Sequence, residues 1–135
     1  SRARRHPRAT RHPATSHDDL RILNRLIVMQ RLGSVIRVRP EKFDEYKRFH
    51  QAVWPEVLVT LAACHIRNYS IFHREGWLFS YFEYHGKEYE ADCARIAADP
   101  ATQRWWDLNK PCQDPLPTRD DGEWWAEMEE LFHQD

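Results

Sequence analysis

Glycine and paired cysteines are scarce in this chain, and their scarcity excludes several kinds of site. Only four of the 135 residues are glycine, and none builds a glycine-rich loop of the kind that cradles phosphates. The three cysteines, Cys64, Cys93 and Cys112, are unevenly spaced and form no CxxC pair. A disulfide framework and a structural zinc site are therefore disfavoured. We expect reduced thiols in a cytoplasmic protein.

Long apolar runs and concentrated positive charge are also missing from the body of the chain. The longest apolar stretch, VLVTLAAC at 57–64, is far too short to cross a bilayer, and no signal-peptide core is visible. The histidines show no HExxH or similar ligand spacing, so we expect no metal site. Beyond residue 17 the chain carries fifteen basic and twenty-one acidic residues, which disfavours nucleic acid as a partner.

The first 28 residues differ in composition from the rest. Residues 1–17 hold five arginines and no acidic residue, and Pro7 and Pro13 interrupt any amphipathic helix. We predict a disordered basic extension over residues 1–28, in which LRILNRLIV could form a short helix. Such a segment is usually solvated, although it could bind polyanions and its composition resembles a transit peptide. Met29 is a candidate natural start, which N-terminal sequencing of the native protein would test.

From residue 29 onward the hydrophobic pattern predicts one α+β domain, residues 29–135. Alternation of apolar and polar residues predicts four strands, at 31–39, 66–73, 77–85 and 128–134. Helical spacing predicts helices at 40–64, 87–99 and 100–110, before a proline-rich loop at 111–122. Gly76 suits a hairpin turn between the second and third strands. The order is the ferredoxin-like βαββαβ arrangement with one extra helix.

The third predicted strand is apolar on both of its faces. One face carries Trp77, Phe79 and Tyr81, and the other carries Leu78, Phe82 and Tyr84. Helices cover only one face of such a sheet, so the second apolar face needs another layer. A second copy of the chain would supply that layer. We therefore expect a homodimer in which two sheets pack into a dimeric α+β barrel.

The segment EYKRFHQAVWPE places a histidine in the apolar stripe of a helix. Tyr46 and His50 are one turn apart on the same face. A core histidine with hydrogen-bonded ring nitrogens would explain this position, and so would a group that moves protons. Pro55 interrupts the helix, which opens space beside His50. Tyr69 on the neighbouring strand could line the same space.

Two pairs of adjacent tryptophans follow, in QRWWD and EWWA. Trp105 and Trp106 point about 100° apart on a helix, so they are not both ordinary core residues. Either one lies in the core and the other at a subunit contact, or the two form an aromatic wall for a sugar ring. Trp124 and Trp125 follow the proline-rich loop. We expect them to close a lid or an interface.

Three motifs together, EYKRFHQAVWPE, RNYSIF and QRWWD, resemble the L-rhamnose mutarotase family over about residues 35–135. The resemblance implies a dimer of ferredoxin-like subunits and an isomerase that interconverts the anomers of a 6-deoxy-hexose, L-rhamnose or L-fucose, without a cofactor. It implies that His50 is the proton donor, and it leaves the base unassigned. The implied sugar-binding residues are Tyr46, Tyr69, Trp105 and Trp106.

Two other functional classes remain open on the sequence. The same fold hosts haem-binding proteins and small monooxygenases, in which a pocket histidine can ligate iron. The tryptophan pair with Tyr69 suits a sugar better than a porphyrin, and a Soret band on adding haem would reverse that preference. A non-catalytic sugar-binding or dimeric interaction module is the third class. Replacing His50 in such a module would abolish no reaction, and the fold alone does not decide among the three.

Overall fold

The structure, a computed structural model, describes Ser16 and residues 29–135. Apart from Ser16, the predicted extension over residues 1–28 lies outside the described residues. The strands are β1 Gln30–Val38, β2 Ile66–Arg74, β3 Trp77–Tyr84, β4 Gln113–Asp114 and β5 Ala126–Met128. The α-helices are α1 Phe43–Gln51, α2 Pro55–Ala63, α3 Tyr89–Ala98 and α4 Pro100–Asn109, with 3₁₀ turns at Pro40–Lys42 and Lys110–Cys112.

Strand β1 lies at the centre of a curled antiparallel sheet. One edge of β1 pairs with β3 over residues 30–37, and β2 pairs with the far edge of β3. The other edge of β1 is shared by two short strands, β5 opposite residues 33–35 and β4 opposite residues 37–38. The strand order β2-β3-β1-β4 confirms the predicted ferredoxin-like arrangement.

The core lies between the helices and one face of this sheet. Ile36 and Val38 alternate along β1 toward the helices and are 0% and 2% exposed, respectively, and Ile36 pairs directly with the buried Leu78 of β3. The burial of every second residue at this end of β1 therefore agrees with the alternation predicted from the sequence. A second buried cluster, under α2 and α3, consists of Cys64, Ile66, Tyr84 and Ile96.

The segment predicted as one kinked helix over 40–64 is two helices. Trp54 has an extended backbone, with φ −62° and ψ 132°, as expected for a residue that precedes proline. Pro55 then occupies the first turn of α2, where its missing N–H costs nothing. The predicted interruption at Pro55 is confirmed, and it separates α1 from α2 completely.

The predicted last strand at 128–134 is wrong. The strand that pairs with β1 is Ala126–Met128, and the proline-rich segment predicted as a loop contains the short strand Gln113–Asp114. Leu131 and Phe132 lie beyond β5 and are 87% and 80% exposed. Short strands depend on the edge that they pair with, so their own residue pattern carries little signal.

The hairpin turn predicted at Gly76 joins β2 to β3, and it contains two residues because β2 extends to Arg74, one residue further than predicted. Arg74 pairs with Trp77, and both intervening residues have positive φ, 51° at Glu75 and 84° at Gly76. Two positive φ angles in succession match the right-handed twist of the flanking strands, and glycine adopts such an angle without steric cost.

The cysteines are all free thiols, as the sequence predicted. Among the described residues, no helix is long and apolar enough to cross a membrane.

Candidate functional site

A cavity of about 440 Å³ lies between the helices and the sheet. Four of the five residues implied by the family resemblance line it: His50, Tyr69, Trp105 and Trp106. The rest of its wall is mostly aliphatic and includes Val57, Leu61, Ile66, Ile71 and Ile96. No Asp, Glu, Lys or Arg side chain is among the described residues that line it. The cavity therefore presents aromatic faces, alkyl groups and a few uncharged polar atoms.

His50 is held by α1 so that only one of its ring nitrogens is free to act. Its Nδ1 lies 2.9 Å from the carbonyl oxygen of Tyr46, one turn earlier. A carbonyl oxygen only accepts, so Nδ1 carries the hydrogen and Nε2 keeps its lone pair. Burial lowers the pKa of His50 below its ordinary value of 6.5, and the bond to Tyr46 offsets part of that shift. Neutral imidazole therefore predominates near neutrality.

Tyr46 lies beside His50 but behind the cavity wall. Its ring stacks at a tilt on the His50 ring, with the ring centroids 4.2 Å apart. Only 3% of Tyr46 is exposed, and it packs in the core with Ile36 and Leu78. Burial is the largest cause of a strongly raised pKa of the phenol, so Tyr46 keeps its proton and can donate a hydrogen bond.

Tyr69 reaches the cavity because β2 contains a bulge. Arg67 pairs with Glu83 and Ser70 pairs with Tyr81, so two residues of β2 lie opposite one residue of β3. Asn68 absorbs the extra residue in the left-handed region, with φ 51°. The bulge reverses the side-chain alternation and turns Tyr69 toward the helices.

The ring of Tyr69 stacks on a neighbouring aromatic ring and is partly exposed. It stacks on Phe82, with centroids 5.4 Å apart and an interplanar angle of 15°. The residue is 45% exposed, yet burial raises the pKa of its phenol. Tyr69 therefore stays protonated and accessible to a ligand.

The two tryptophans of α4 form adjoining parts of the wall with different surroundings. Trp105 is 7% exposed and makes edge contacts with His50 and Trp54, at centroid distances of 5.4 and 5.3 Å. Trp106 is half-buried, and the ammonium of Lys110 lies 5.3 Å from its ring centroid. Trp105 thus positions the histidine as well as lining the cavity, whereas Trp106 offers a more open face.

Helix α4, which carries both tryptophans, starts on a side-chain cap. Asp99 accepts hydrogen bonds from the backbone N–H and the hydroxyl of Thr102, at 3.0 and 2.8 Å. Pro100 occupies the first turn, so the DPAT sequence is a helix start of a common type. Those two bonds hold the pKa of Asp99 below its ordinary value.

The second tryptophan pair is packed against the first core cluster. Trp124 and Trp125 both contact the cluster that contains Ile36 and Tyr46. The indole N–H of Trp124 donates to the side-chain oxygen of Gln113 at 2.8 Å. Gln113 is not among the site residues predicted from the sequence, because it lies in the segment predicted to be a proline-rich loop.

A separate buried carboxylate, Asp92, is already satisfied by its neighbours. It accepts hydrogen bonds from the hydroxyl of Tyr84, from Nδ1 of His65 and from the guanidinium of Arg95. These contacts tie α3 to the end of β3 and to the residue before β2. Among the described residues, no three His, Cys, Asp or Glu side chains are grouped so that they could hold a metal ion.

Comparison with known sequences gives a consistent result. The sequence model of the L-rhamnose mutarotase family matches residues 31–134. An L-rhamnose mutarotase from Oceanobacillus iheyensis is 34% identical over 109 residues, which are 79% of this chain and all of that protein. The L-rhamnose mutarotase of Opitutus terrae is 39% identical over 110 residues, again 79% of this chain and all of that protein.

Solved structures share the fold. The L-rhamnose mutarotase FA22100 from Formosa agariphila aligns with a TM-score of 0.62 at 24% identity, over 78% of this chain and 99% of that one. Tetracenomycin F2 cyclase from Streptomyces glaucescens aligns with a TM-score of 0.58 at 14% identity, over 78% of this chain and 97% of that one. At these identities the likeness establishes the architecture alone.

Proposed function

The chain belongs to the L-rhamnose mutarotase family, and from that premise we propose that it interconverts the α and β anomers of L-rhamnose with His50 as the acid–base group. It is a sugar isomerase by its family, and neither the haem-binding class nor the interaction module is favoured. The assignment of His50 rests on its fixed tautomer, because Nδ1 donates to the Tyr46 carbonyl. The same ring lines the cavity.

Anomer exchange requires the movement of one proton between two neighbouring oxygens. The hydroxyl on C1 loses its proton, the bond between C1 and the ring oxygen breaks, a C1 aldehyde forms, and the ring oxygen gains a proton. Rotation about C1–C2 and closure on the other face give the second anomer. Both oxygens are bonded to C1, so one positioned group can serve both in turn.

The neutral imidazole of His50 suits this transfer. Nε2 takes the proton from the C1 hydroxyl and then gives it to the ring oxygen as the ring opens. In the second half His50 is the proton donor that the family resemblance implies, and in the first half it is the base. Positioned acid–base groups contribute roughly 10²- to 10⁴-fold to a rate. The phenols of Tyr46 and Tyr69 keep their protons, so they act as hydrogen-bond donors.

The cavity wall fits an uncharged deoxy sugar. Indole faces such as those of Trp105 and Trp106 pack against the C–H faces of a sugar ring. The aliphatic part of the wall, including Leu61, Ile66 and Ile96, suits a methyl group better than a hydroxyl, because a buried hydroxyl needs a partner. L-Rhamnose and L-fucose both carry a methyl group at C6, so both belong in the test.

The function is tested by saturation-transfer NMR on the anomeric protons of L-rhamnose and L-fucose. Wild-type protein should accelerate exchange, and His50→Gln should remove most of the acceleration, by roughly 10²-fold or more. His73→Gln is the matched control, because His73 stacks on Phe43 and does not line the cavity.

Either of two results would contradict the proposal. Equal acceleration by wild type and His50→Gln would remove His50 from the reaction. No acceleration of either sugar by the wild type would overturn the mutarotase function for these substrates.

We also propose that the active form is a homodimer. The sheet face that carries no helices has an apolar row across three neighbouring strands, in which Phe79 pairs with Phe72 on one side and with Val35 on the other. Phe72 and Phe79 are 64% and 38% exposed. A second copy of the sheet would bury this row.

A further inference from the structure

Three side chains link the C-terminal segment to the helix that carries His50. Trp124 Nε1 lies 2.8 Å from Oε1 of Gln113, and Nε2 of Gln113 lies 3.3 Å from the hydroxyl oxygen of Tyr46. Gln113 is 6% exposed, so its amide depends on these partners. Burying an unpaired amide would cost about 1–3 kcal/mol.

The chemistry of the indole group fixes the donor and the acceptor in each of these two hydrogen bonds. The indole N–H can only donate, so the atom of Gln113 that faces Trp124 must be its oxygen. The atom that faces Tyr46 is then the amide nitrogen, which can only donate. Tyr46 therefore accepts from Gln113 through its oxygen, and its own hydroxyl hydrogen must point to a different acceptor.

Tyr46, the last residue in this series of hydrogen bonds, contacts the proposed acid–base group. The Tyr46 ring stacks on His50, and the Tyr46 carbonyl receives the Nδ1 hydrogen of His50. The Tyr46 ring, held at its hydroxyl by Gln113, thus supports the His50 ring from behind the cavity wall.

We propose that Gln113, oriented by Trp124, is a positioning residue that holds the Tyr46 ring, and through it the His50 imidazole, in place for proton transfer to the bound sugar. This inference rests on the proposed mutarotase function. It assigns a role to two residues outside the cavity wall and connects the segment after the proline-rich loop to the proton transfer. Without Gln113, the buried Tyr46 hydroxyl loses this hydrogen bond, and the ring on which His50 stacks is free to shift.

The test is a double-mutant cycle between Gln113 and Tyr46, measured as kcat/KM for anomer exchange. Gln113→Leu should lower kcat/KM about tenfold, the worth of one well-directed hydrogen bond. In a Tyr46→Phe background the same change should alter it by less than about twofold, because no hydroxyl remains for Gln113 to hold. Trp124→Phe removes only the indole N–H and should give a smaller loss with the same dependence on Tyr46.

Trp125→Phe is the matched control, since Trp125 packs against the same core cluster, and its kcat/KM should equal that of the wild type. A purely structural role for Gln113 predicts equal losses with and without the Tyr46 hydroxyl, and that result would overturn the proposal. Trp124→Phe keeps the test decisive if Gln113→Leu does not fold.

A sugar-free measurement separates this proposal from the proposed function. The ¹H–¹⁵N signals of the His50 ring should shift in Gln113→Leu, because the Tyr46 ring on which His50 rests is released. They should stay in place in Trp125→Phe. Unchanged His50 signals in Gln113→Leu would contradict the positioning role even if the wild type accelerated no anomer exchange.

Discussion

His50 occupies a position where a core histidine and a proton-transfer group look alike in sequence. Its place in the apolar stripe of the helix predicted a tyrosine on the same face, and it fitted a core histidine and a proton-transfer group alike. The structure adds the contact that distinguishes its two nitrogens, the bond from Nδ1 to the Tyr46 carbonyl. That bond depends on rotamers and ring orientation, which helical spacing does not specify.

The lowered pKa of His50 sets the expected pH dependence. Neutral His50 accepts the first proton, so kcat/KM should be constant near neutrality and fall as the pH drops through the lowered pKa. The midpoint of that fall should lie below 6.5, because burial disfavours the imidazolium. The measurement is anomer exchange from pH 4.5 to 8, after subtraction of the spontaneous rate. A midpoint at or above 6.5 would contradict a buried neutral base.

Tyr46 marks the limit of what residue spacing predicts. The sequence resemblance placed it among the sugar-binding residues with Tyr69 and the two tryptophans. The structure places it behind His50, with its hydroxyl held by Gln113. Residues one turn apart share a helix face, but their depth depends on the opposing sheet. That opposing surface includes Gln113, in a segment whose sequence suggests only a loop.

At the scale of elements, the bulge in β2 decides which tyrosine reaches the cavity. Regular alternation from Ile66, which faces the helices, would turn Tyr69 to the opposite face of the sheet. Asn68 prevents this by adopting a left-handed backbone, and its side chain donates to Glu83 at 2.9 Å. Asparagine is among the few residues that tolerate that conformation. The asparagine in RNYSIF is therefore a signal in the sequence that predicts the bulge.

Replacing Asn68 tests the bulge. Asn68→Val should destabilise the protein by about 1–2 kcal/mol and raise the KM for the sugar, because a β-branched residue resists positive φ and Tyr69 would be displaced. Asn68→Gly should keep the KM near that of wild type, since glycine adopts the angle readily. Urea unfolding and anomer-exchange kinetics measure the two effects. A normal KM in Asn68→Val would show that Tyr69 does not depend on the bulge.

The element order was predictable because long elements carry their own pattern. Strands β1, β2 and β3 and the break at Pro55 all follow from alternation and from the backbone limits of proline. Strands β4 and β5 do not, since they contain only two and three residues. They exist because the second edge of β1 offers unpaired backbone groups to whichever segment passes it.

At the scale of the whole molecule, one sheet face is covered by helices and the other carries the apolar row of Phe72, Phe79 and Val35. Phe79→Lys should convert the proposed homodimer to a monomer, because a charge at the centre of an apolar contact is costly to bury. Sedimentation equilibrium measures the change. Val59→Lys is the control, since Val59 is equally apolar and 67% exposed on α2. A wild type that sediments as a monomer would contradict the proposed assembly.

The charge-free wall of the cavity has a consequence for the chemical state of the substrate. A phosphorylated sugar or a uronic acid would bring an anion among indole rings and alkyl chains, and no charged side chain is among the described residues that line the cavity. Uncompensated charge in such surroundings is strongly disfavoured. The cavity therefore selects the free, neutral sugar. The sugar must therefore reach this enzyme before any kinase phosphorylates it. The encounter of the enzyme with its neutral substrate gains nothing from electrostatic steering, so ionic strength should have little effect on its rate.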